Sequence, residues 1–115
     1  MEIEKESLKG YIDSILLSLV ENKPMYGYSL SKEITELTGG LFEIKEATLY
    51  LSLKRLEKNG FVYSYWDDSS GAGGRRKYYS ITPVGSERLE KQKKEWVVFK
   101  EIIDRFLGRD ISNDI

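Results

Sequence analysis

The fold is decided by residues 46–81, which read EATLYLSLKRLEKNGFVYSYWDDSSGAGGRRKYYSI. In the first part of this stretch, Leu49, Leu53 and Leu56 recur at spacings of three and four residues. This periodicity is typical of a helix that buries one side. The pattern therefore predicts a helix over about residues 46–58.

A β-hairpin is predicted directly after this helix. Asn59-Gly60 ends the helix, because glycine readily adopts the left-handed conformation of a C-terminal cap. Residues 61–66 are mostly aromatic or β-branched, which favours a strand. Residues 67–74 are only Asp, Ser, Gly and Ala and indicate a loop. Residues 75–81 then form the return strand.

Two helices are predicted before this stretch. The first covers about residues 6–22, because apolar residues recur at helical spacing as far as Val20 and Pro24 cannot continue the helix. The second begins near Gly27 and ends at Gly39-Gly40. The residues expected to be buried by the second helix are Leu30, Ile34 and Leu37.

A long helix follows the hairpin and extends to about Gly108. Thr82 is a favourable N-cap residue, and Pro83 fits the first helical position. Three helices, a hairpin and a further helix predict a mainly α fold with a small β-hairpin, namely a winged helix-turn-helix plus a long C-terminal dimerisation helix. The predicted units are a DNA-binding domain over residues 1–81, the dimerisation helix over 82–108 and a flexible tail over 109–115.

Composition excludes several classes of function. The 115-residue chain has no histidine and no cysteine, so it has no disulfide and neither thiolate nor imidazole metal ligands, and it cannot use Ser-His or Cys-His catalysis. We therefore expect neither an enzyme nor a metal or other cofactor. The first residues are acid-rich and unlike a signal peptide, and no apolar run is long enough to span a membrane. These features predict a cytoplasmic protein without a membrane partner.

The net charge of -1 hides an uneven distribution. Residues 1–40 carry four Lys against seven acids, residues 41–81 carry seven Lys or Arg against five acids, and residues 82–115 carry seven of each. The middle segment is therefore basic by two charges. A basic segment between acidic and neutral ends indicates one local face for a polyanion.

The third helix has a polar side that suits the DNA major groove. In a winged helix-turn-helix, this helix enters the groove and the hairpin loop reaches the flanking backbone. Cations would contact phosphates, Thr48 and Arg55 would read base edges, and Leu51 would meet thymine methyl groups. The predicted DNA contacts are Lys45, Thr48, Tyr50, Leu51, Lys54, Arg55, Arg75, Arg76 and Lys77. The alternative is a solvated face on a winged-helix module that binds protein and not DNA.

The last helix carries an apolar seam at heptad spacing. Leu89, Trp96 and Ile103 are seven residues apart, and Phe99 and Phe106 form a second series with the same spacing. Such a seam predicts a homodimer, which would present two recognition helices to two half-sites about 34 Å apart. The alternative is that this helix folds back on its own chain.

Several motifs together resemble the PadR family of bacterial transcriptional regulators. They are MYGYSL at residues 25–30, EATLY at 46–50, LKRLEKNG at 53–60 and GRRKYYSITPVG at 74–85. The resemblance covers about residues 8–107, and the short C-terminal part resembles the family's small multidrug-sensing branch. It implies a dimeric repressor of pseudo-palindromic promoter DNA. It also implies that Thr48, Tyr50 and Lys54 lie at the DNA surface.

The resemblance further implies a small-molecule site at the centre of the dimer. The multidrug-sensing branch has a tryptophan at the position of Trp96, where two facing indoles would stack on a planar aromatic ligand. Asp13, Leu17 and Phe99 would line the same site. Asp13 would favour cationic ligands unless Lys100 neutralises it. The alternative is that Trp96 only fills the dimer core.

Overall fold

The computed structural model describes residues 5–68 and 74–109 and shows a mainly helical chain with one small antiparallel sheet. The helices are α1 (Lys5–Leu8), α2 (Ile12–Val20), α3 (Gly27–Leu37), α4 (Glu46–Lys58) and α5 (Pro83–Leu107). The strands are β1 (Met25–Tyr26), β2 (Val62–Asp67) and β3 (Arg76–Ile81). The predicted fold class is confirmed, and α4 has the predicted bounds.

The core lies between α2, α3, α4, the inner face of the sheet and the start of α5. Fully buried leucines contribute most of it, and burying each one stabilises the fold by about 1.5–3 kcal/mol. The predicted inward residues of α4 are all buried. The least exposed core residues are Leu16, Leu17, Val20, Leu30, Leu49, Leu53 and Leu56.

The sheet has three strands and not the predicted two. Its order is β1-β3-β2, and both pairs are antiparallel. Met25 pairs with Tyr79, and Tyr26 pairs with Tyr78. A strand of two residues carries no readable alternation, so only its pairing with the hairpin reveals it. This extra strand ties the start of α3 to the wing, which is the β2–β3 hairpin.

The predicted first helix is interrupted. A 3-10 turn at Lys9–Tyr11 separates α1 from α2, and Tyr11 has φ -114° and ψ -7° instead of α-helical values. Gly10 lies inside this turn and has a low helix propensity. The interruption separates α1 from α2, which carries the buried residues Ile12, Leu16, Leu17 and Val20.

The start of α5 is held by the predicted cap. The Thr82 hydroxyl accepts a hydrogen bond from the Gly85 N–H at 2.9 Å and donates one to the Gly60 carbonyl at 2.6 Å. Gly85 approaches the Phe61 carbonyl so closely that any side chain at residue 85 would collide with it. These contacts join α5 to the turn between α4 and β2.

One core prediction is wrong. Leu37 is 69% exposed, because it is the last residue of α3 and Ile34 closes the core one turn earlier. Residues 69–73 of the predicted loop and residues 110–115 of the predicted tail lie outside the described residues. Within the described residues, no helix has the length and apolar character needed to cross a bilayer.

Candidate nucleic-acid interface

One side of α4 faces the core and the other faces solvent. Leu49, Leu53 and Leu56 are buried together with Ser52, whereas Leu51 is 64% exposed. An exposed leucine among polar groups indicates a binding surface. The exposed α4 side chains predicted to contact DNA are Thr48, Tyr50, Leu51, Lys54 and Arg55, and Lys58 lies on the same side.

Lys45 lies at the N-terminal end of this exposed side. Its backbone is extended, and its carbonyl oxygen accepts the Leu49 N–H at 2.9 Å, which starts the helix. The Lys45 side chain is exposed and lines a cavity of about 240 Å³ together with Thr48 and Lys9. Two predicted DNA contacts, Lys45 and Thr48, are thus brought together.

Tyr50 is held against the preceding helix. Its hydroxyl lies beside the backbone of Gly27, so closely that a Cβ atom at residue 27 would overlap it. Any larger residue at this position would have to displace the Tyr50 ring, although the φ of Gly27 is not positive. The contact fixes α4 relative to the first turn of α3, and it leaves the Tyr50 ring partly exposed.

The Arg55 side chain is held by hydrogen bonds to Asp13 and Ser52. Its Nε and Nη2 atoms donate to the two carboxylate oxygens of Asp13 at 2.8 and 2.7 Å, and Nη2 also donates to the Ser52 hydroxyl at 3.1 Å. The hydrogen bond to Asp13, reinforced by its charge, raises the pKa of Arg55. The structure therefore directs this predicted base-reading residue toward α2.

Arg75, at the start of the return side of the wing, is paired with an acid. Its Nε lies 2.8 Å from the Asp68 carboxylate, and its guanidinium lies 4.8 Å from the centre of the Trp66 ring. Both partners remain exposed, so this ion pair is weak and open to exchange with a phosphate. Asp68 therefore offsets the charge of one wing cation.

Arg76 and Lys77 point to opposite faces of the sheet, as neighbours in a strand do. Arg76 lies 4.7 Å above the Tyr26 ring, and Lys77 lies 5.9 Å from the centre of the Trp66 ring. Cation–π contacts of this kind hold a long side chain in place while its donors stay accessible. The cations of the wing therefore lie against aromatic side chains.

Comparison with known proteins places this arrangement in a family. The sequence model of the transcriptional regulator PadR-like family matches residues 16–91, which is 76 of the 115 residues. The match includes α4, the wing and the start of α5. The chain belongs to the PadR-like family of transcriptional regulators.

Solved structures of transcriptional regulators share this fold over most of the chain. A transcriptional regulator from Clostridium thermocellum is 41% identical, with a TM-score of 0.82 over 90% of this chain and 97% of that one. A PadR family regulator from Clostridium difficile is 42% identical, with a TM-score of 0.77 over 86% of this chain and 100% of that one. PadR from Bacillus subtilis, solved in complex with operator DNA, is 23% identical, with a TM-score of 0.64 over 70% of this chain and 45% of that one.

The second half of α5 in this PadR-like protein is uncovered. Gly85 and Leu89 are buried near its start, but every residue from 93 to 109 is exposed. Leu89 is 2% exposed because it packs on its own chain, so the structure does not place it on an open seam. The other predicted seam residues are exposed, namely Trp96, Phe99, Ile103 and Phe106.

An aromatic cluster, formed by Tyr11, Trp96 and Phe99, lies where α5 passes the 3-10 turn. The Trp96 and Phe99 rings stack at 5.9 Å and 26°, and the Tyr11 ring meets each of them edge-on at 5.9 Å. The continuous helix predicted over about residues 6–22 does not indicate this contact between Tyr11 and α5. The broken helix is the reason for the difference, and its only sequence signal is Gly10.

Two residues expected to line a small-molecule site already have partners within the chain. Leu17 is 1% exposed inside the core, so it presents no surface to a ligand. Asp13 is neutralised by Arg55, not by Lys100, and this weakens the expected preference for cationic ligands. Trp96 and Phe99 are brought together as expected, with Tyr11 as an additional neighbour.

Proposed function

We propose that this PadR-like regulator is a homodimeric repressor that binds pseudo-palindromic promoter DNA through α4 and the wing. The observation that carries the proposal is the exposed side of α4, where Leu51 stands among Thr48, Lys54 and Lys58. A major groove offers partners to all of these groups, namely thymine methyls, base edges and phosphates. The fold is shared with Bacillus subtilis PadR, which has been solved on operator DNA.

The wing supports the same proposal. Arg75, Arg76 and Lys77 lie beside aromatic rings at the end of the hairpin that a winged helix turns toward the DNA backbone. Phosphate contacts fix the position of the protein on the duplex without reading its sequence. The wing would therefore supply affinity, and α4 would supply specificity.

The dimer is proposed from the uncovered part of α5. Exposed apolar side chains recur along it from Trp96 to Leu107, a span of about 17 Å at 1.5 Å per residue. An apolar stripe of this length is normally covered by a partner. A second copy of α5 has the matching pattern, so a two-fold pair would bury both stripes and present two copies of α4.

A planar aromatic small molecule is the proposed effector. Trp96 and Phe99 stack on the exposed side of α5, and Tyr11 closes one side of the cluster. In a two-fold dimer the cluster would lie beside its own copy, and flat rings would enclose a flat ligand. Such a ligand would release the repressor from DNA or adjust its affinity.

The second candidate function is a winged-helix module that binds protein. The wing is not uniformly basic, because Asp68 pairs with Arg75. This mixed charge favours the protein-binding module. The alternatives separate in one titration of labelled promoter DNA, followed by fluorescence anisotropy at two salt concentrations. A DNA-binding repressor binds with an affinity that falls steeply with salt, because counterions are released. Absence of salt-dependent binding would favour the protein-binding module.

A further inference from the structure

We infer that Asp13 is a positioning residue for DNA recognition, which holds Arg55 away from the duplex. The inference rests on the proposal that α4 contacts DNA. Arg55 can pair with either of two anions, namely the carboxylate of Asp13 within the protein or a phosphate of the duplex.

The backbone of Arg55 lies on the DNA-facing side of α4. Arg55 follows Leu51 by four residues and precedes Lys58 by three, so the three residues form one stripe on the helix surface. Leu51 and Lys58 are exposed on this stripe. An unrestrained arginine at this position would extend into the same space and find a phosphate or a guanine edge.

Asp13 opposes this by occupying the Nε–Nη2 edge of the guanidinium. Nε and Nη2 donate to its two carboxylate oxygens in the bidentate geometry that arginine also uses for phosphate. Nη2 is further tied to Ser52, which is buried on the inner side of α4. The same donors therefore cannot serve Asp13 and a phosphate at once.

Asp13 is the more enclosed partner of the pair. It lies in the first turn of α2, where the helix dipole favours a carboxylate. Its side chain is 29% exposed, compared with 53% for Arg55, so Asp13 is the more fixed partner of the pair.

The pair then sets both the charge and the selectivity of the DNA-facing surface. With Arg55 neutralised, Lys54 and Lys58 supply the α4 cations that attract any duplex. Release of Arg55 adds a third cation that contacts phosphates of every sequence. Asp13 would therefore limit binding to random DNA and protect the preference for the operator.

The test compares Asp13→Asn with the wild type on promoter DNA and on random DNA over a range of salt concentrations. For each Arg55 released, the slope of log affinity against log salt should steepen by about 0.9. Affinity for random DNA should rise several-fold, and the ratio between promoter and random DNA should fall. Arg55→Gln in the same background should return the slope to its wild-type value.

A matched control is Glu21→Gln. Glu21 lies just after the other end of α2, has a similar 31% exposure and pairs with Lys93 of α5 at 3.0 Å. Its removal changes the net charge equally but releases no cation on α4, so the slope should stay unchanged. This control separates a local effect at Arg55 from a general effect of charge.

Each outcome supports or overturns the inference. A purely structural role for Asp13 would weaken binding to both DNAs with an unchanged slope, and that result overturns the inference. An unchanged slope with unchanged affinity also overturns it, while the proposed function stands. A wild-type protein that binds no DNA overturns the proposed function, and the inference with it.

Discussion

The hydroxyl of Tyr50, in the second turn of α4, lies against the backbone of Gly27, the first residue of α3. Residue 27 is buried, and the space for its side chain is filled by the tyrosine. A residue predicted to touch DNA is thus also the residue that sets the distance between the two helices of the helix-turn-helix. Packing at Gly27 and DNA binding through α4 are therefore linked.

Gly27→Ala should destabilise the protein by about 1–3 kcal/mol and weaken DNA binding, because the added methyl group displaces Tyr50 and the α4 helix. Urea unfolding and anisotropy titrations measure the two effects. In a Tyr50→Ala background, Gly27→Ala should cost little. An equal cost in both backgrounds would show that the collision is not with Tyr50.

Replacing Arg75 and Arg76 together by alanine should weaken binding to promoter and random DNA alike, because phosphate contacts carry no sequence information. The slope of log affinity against log salt should become shallower by about 0.9 for each phosphate that the variant no longer neutralises. Lys91→Ala, which removes an exposed cation from α5, serves as the control. An affinity equal to that of the wild type would remove the wing from the interface.

Ile103→Asp should convert the dimer to a monomer. A two-fold seam would bring two aspartates together in an apolar interface, at a cost of several kcal/mol. Analytical ultracentrifugation measures the change in mass. Val84→Asp also replaces an exposed β-branched residue of α5, but in its first turn, and should leave the mass unchanged. A variant at residue 103 that remains a stable dimer would place the seam elsewhere.

Planar aromatic dyes should quench the fluorescence of Trp96 at micromolar concentrations, which corresponds to about -8 kcal/mol of binding. Trp66→Phe should keep the quenching, because Trp66 is the only other tryptophan. Trp96→Ala should abolish binding, and Tyr11→Ala should weaken it, since the Tyr11 ring contacts both Trp96 and Phe99. Unchanged binding to the Trp96→Ala protein by calorimetry would mean that Trp96 only packs.

Stability should fall at alkaline pH through Tyr79. Burial, and then the charge of Glu57, raise the pKa of Tyr79 above its ordinary value of about 10. Because the folded-state pKa is the higher one, this contribution is complete below about pH 10 and is lost as the pH rises toward the folded pKa. Tyr79→Phe should flatten the decline in unfolding free energy above pH 10, and an unchanged decline would assign it to other groups.

The local elements were largely predictable from the sequence. Neighbouring residues carry the signals for α4, for the hairpin and for the start of α5. These signals are the leucine spacing, the hairpin composition and Thr82-Pro83, and the structure contains all three elements. Their signals are strong because helix periodicity and capping depend on contacts within a few residues. Strand β1 and the 3-10 turn were missed. The first is too short to show a pattern, and the second is marked only by Gly10.

The sequence by itself thus determined the order of helices and strands, the apolar stripe of α5 and the polar side of α4. Only the tertiary structure decided which way the long side chains turn. Arg55 binds Asp13, which is 42 residues away, Tyr11 joins Trp96 and Phe99, and Leu89 packs on its own chain. The physical reason is that a helix periodicity gives the position of a Cβ atom on a surface. The partner of a flexible side chain depends on what another helix brings within about 3 Å of its donors.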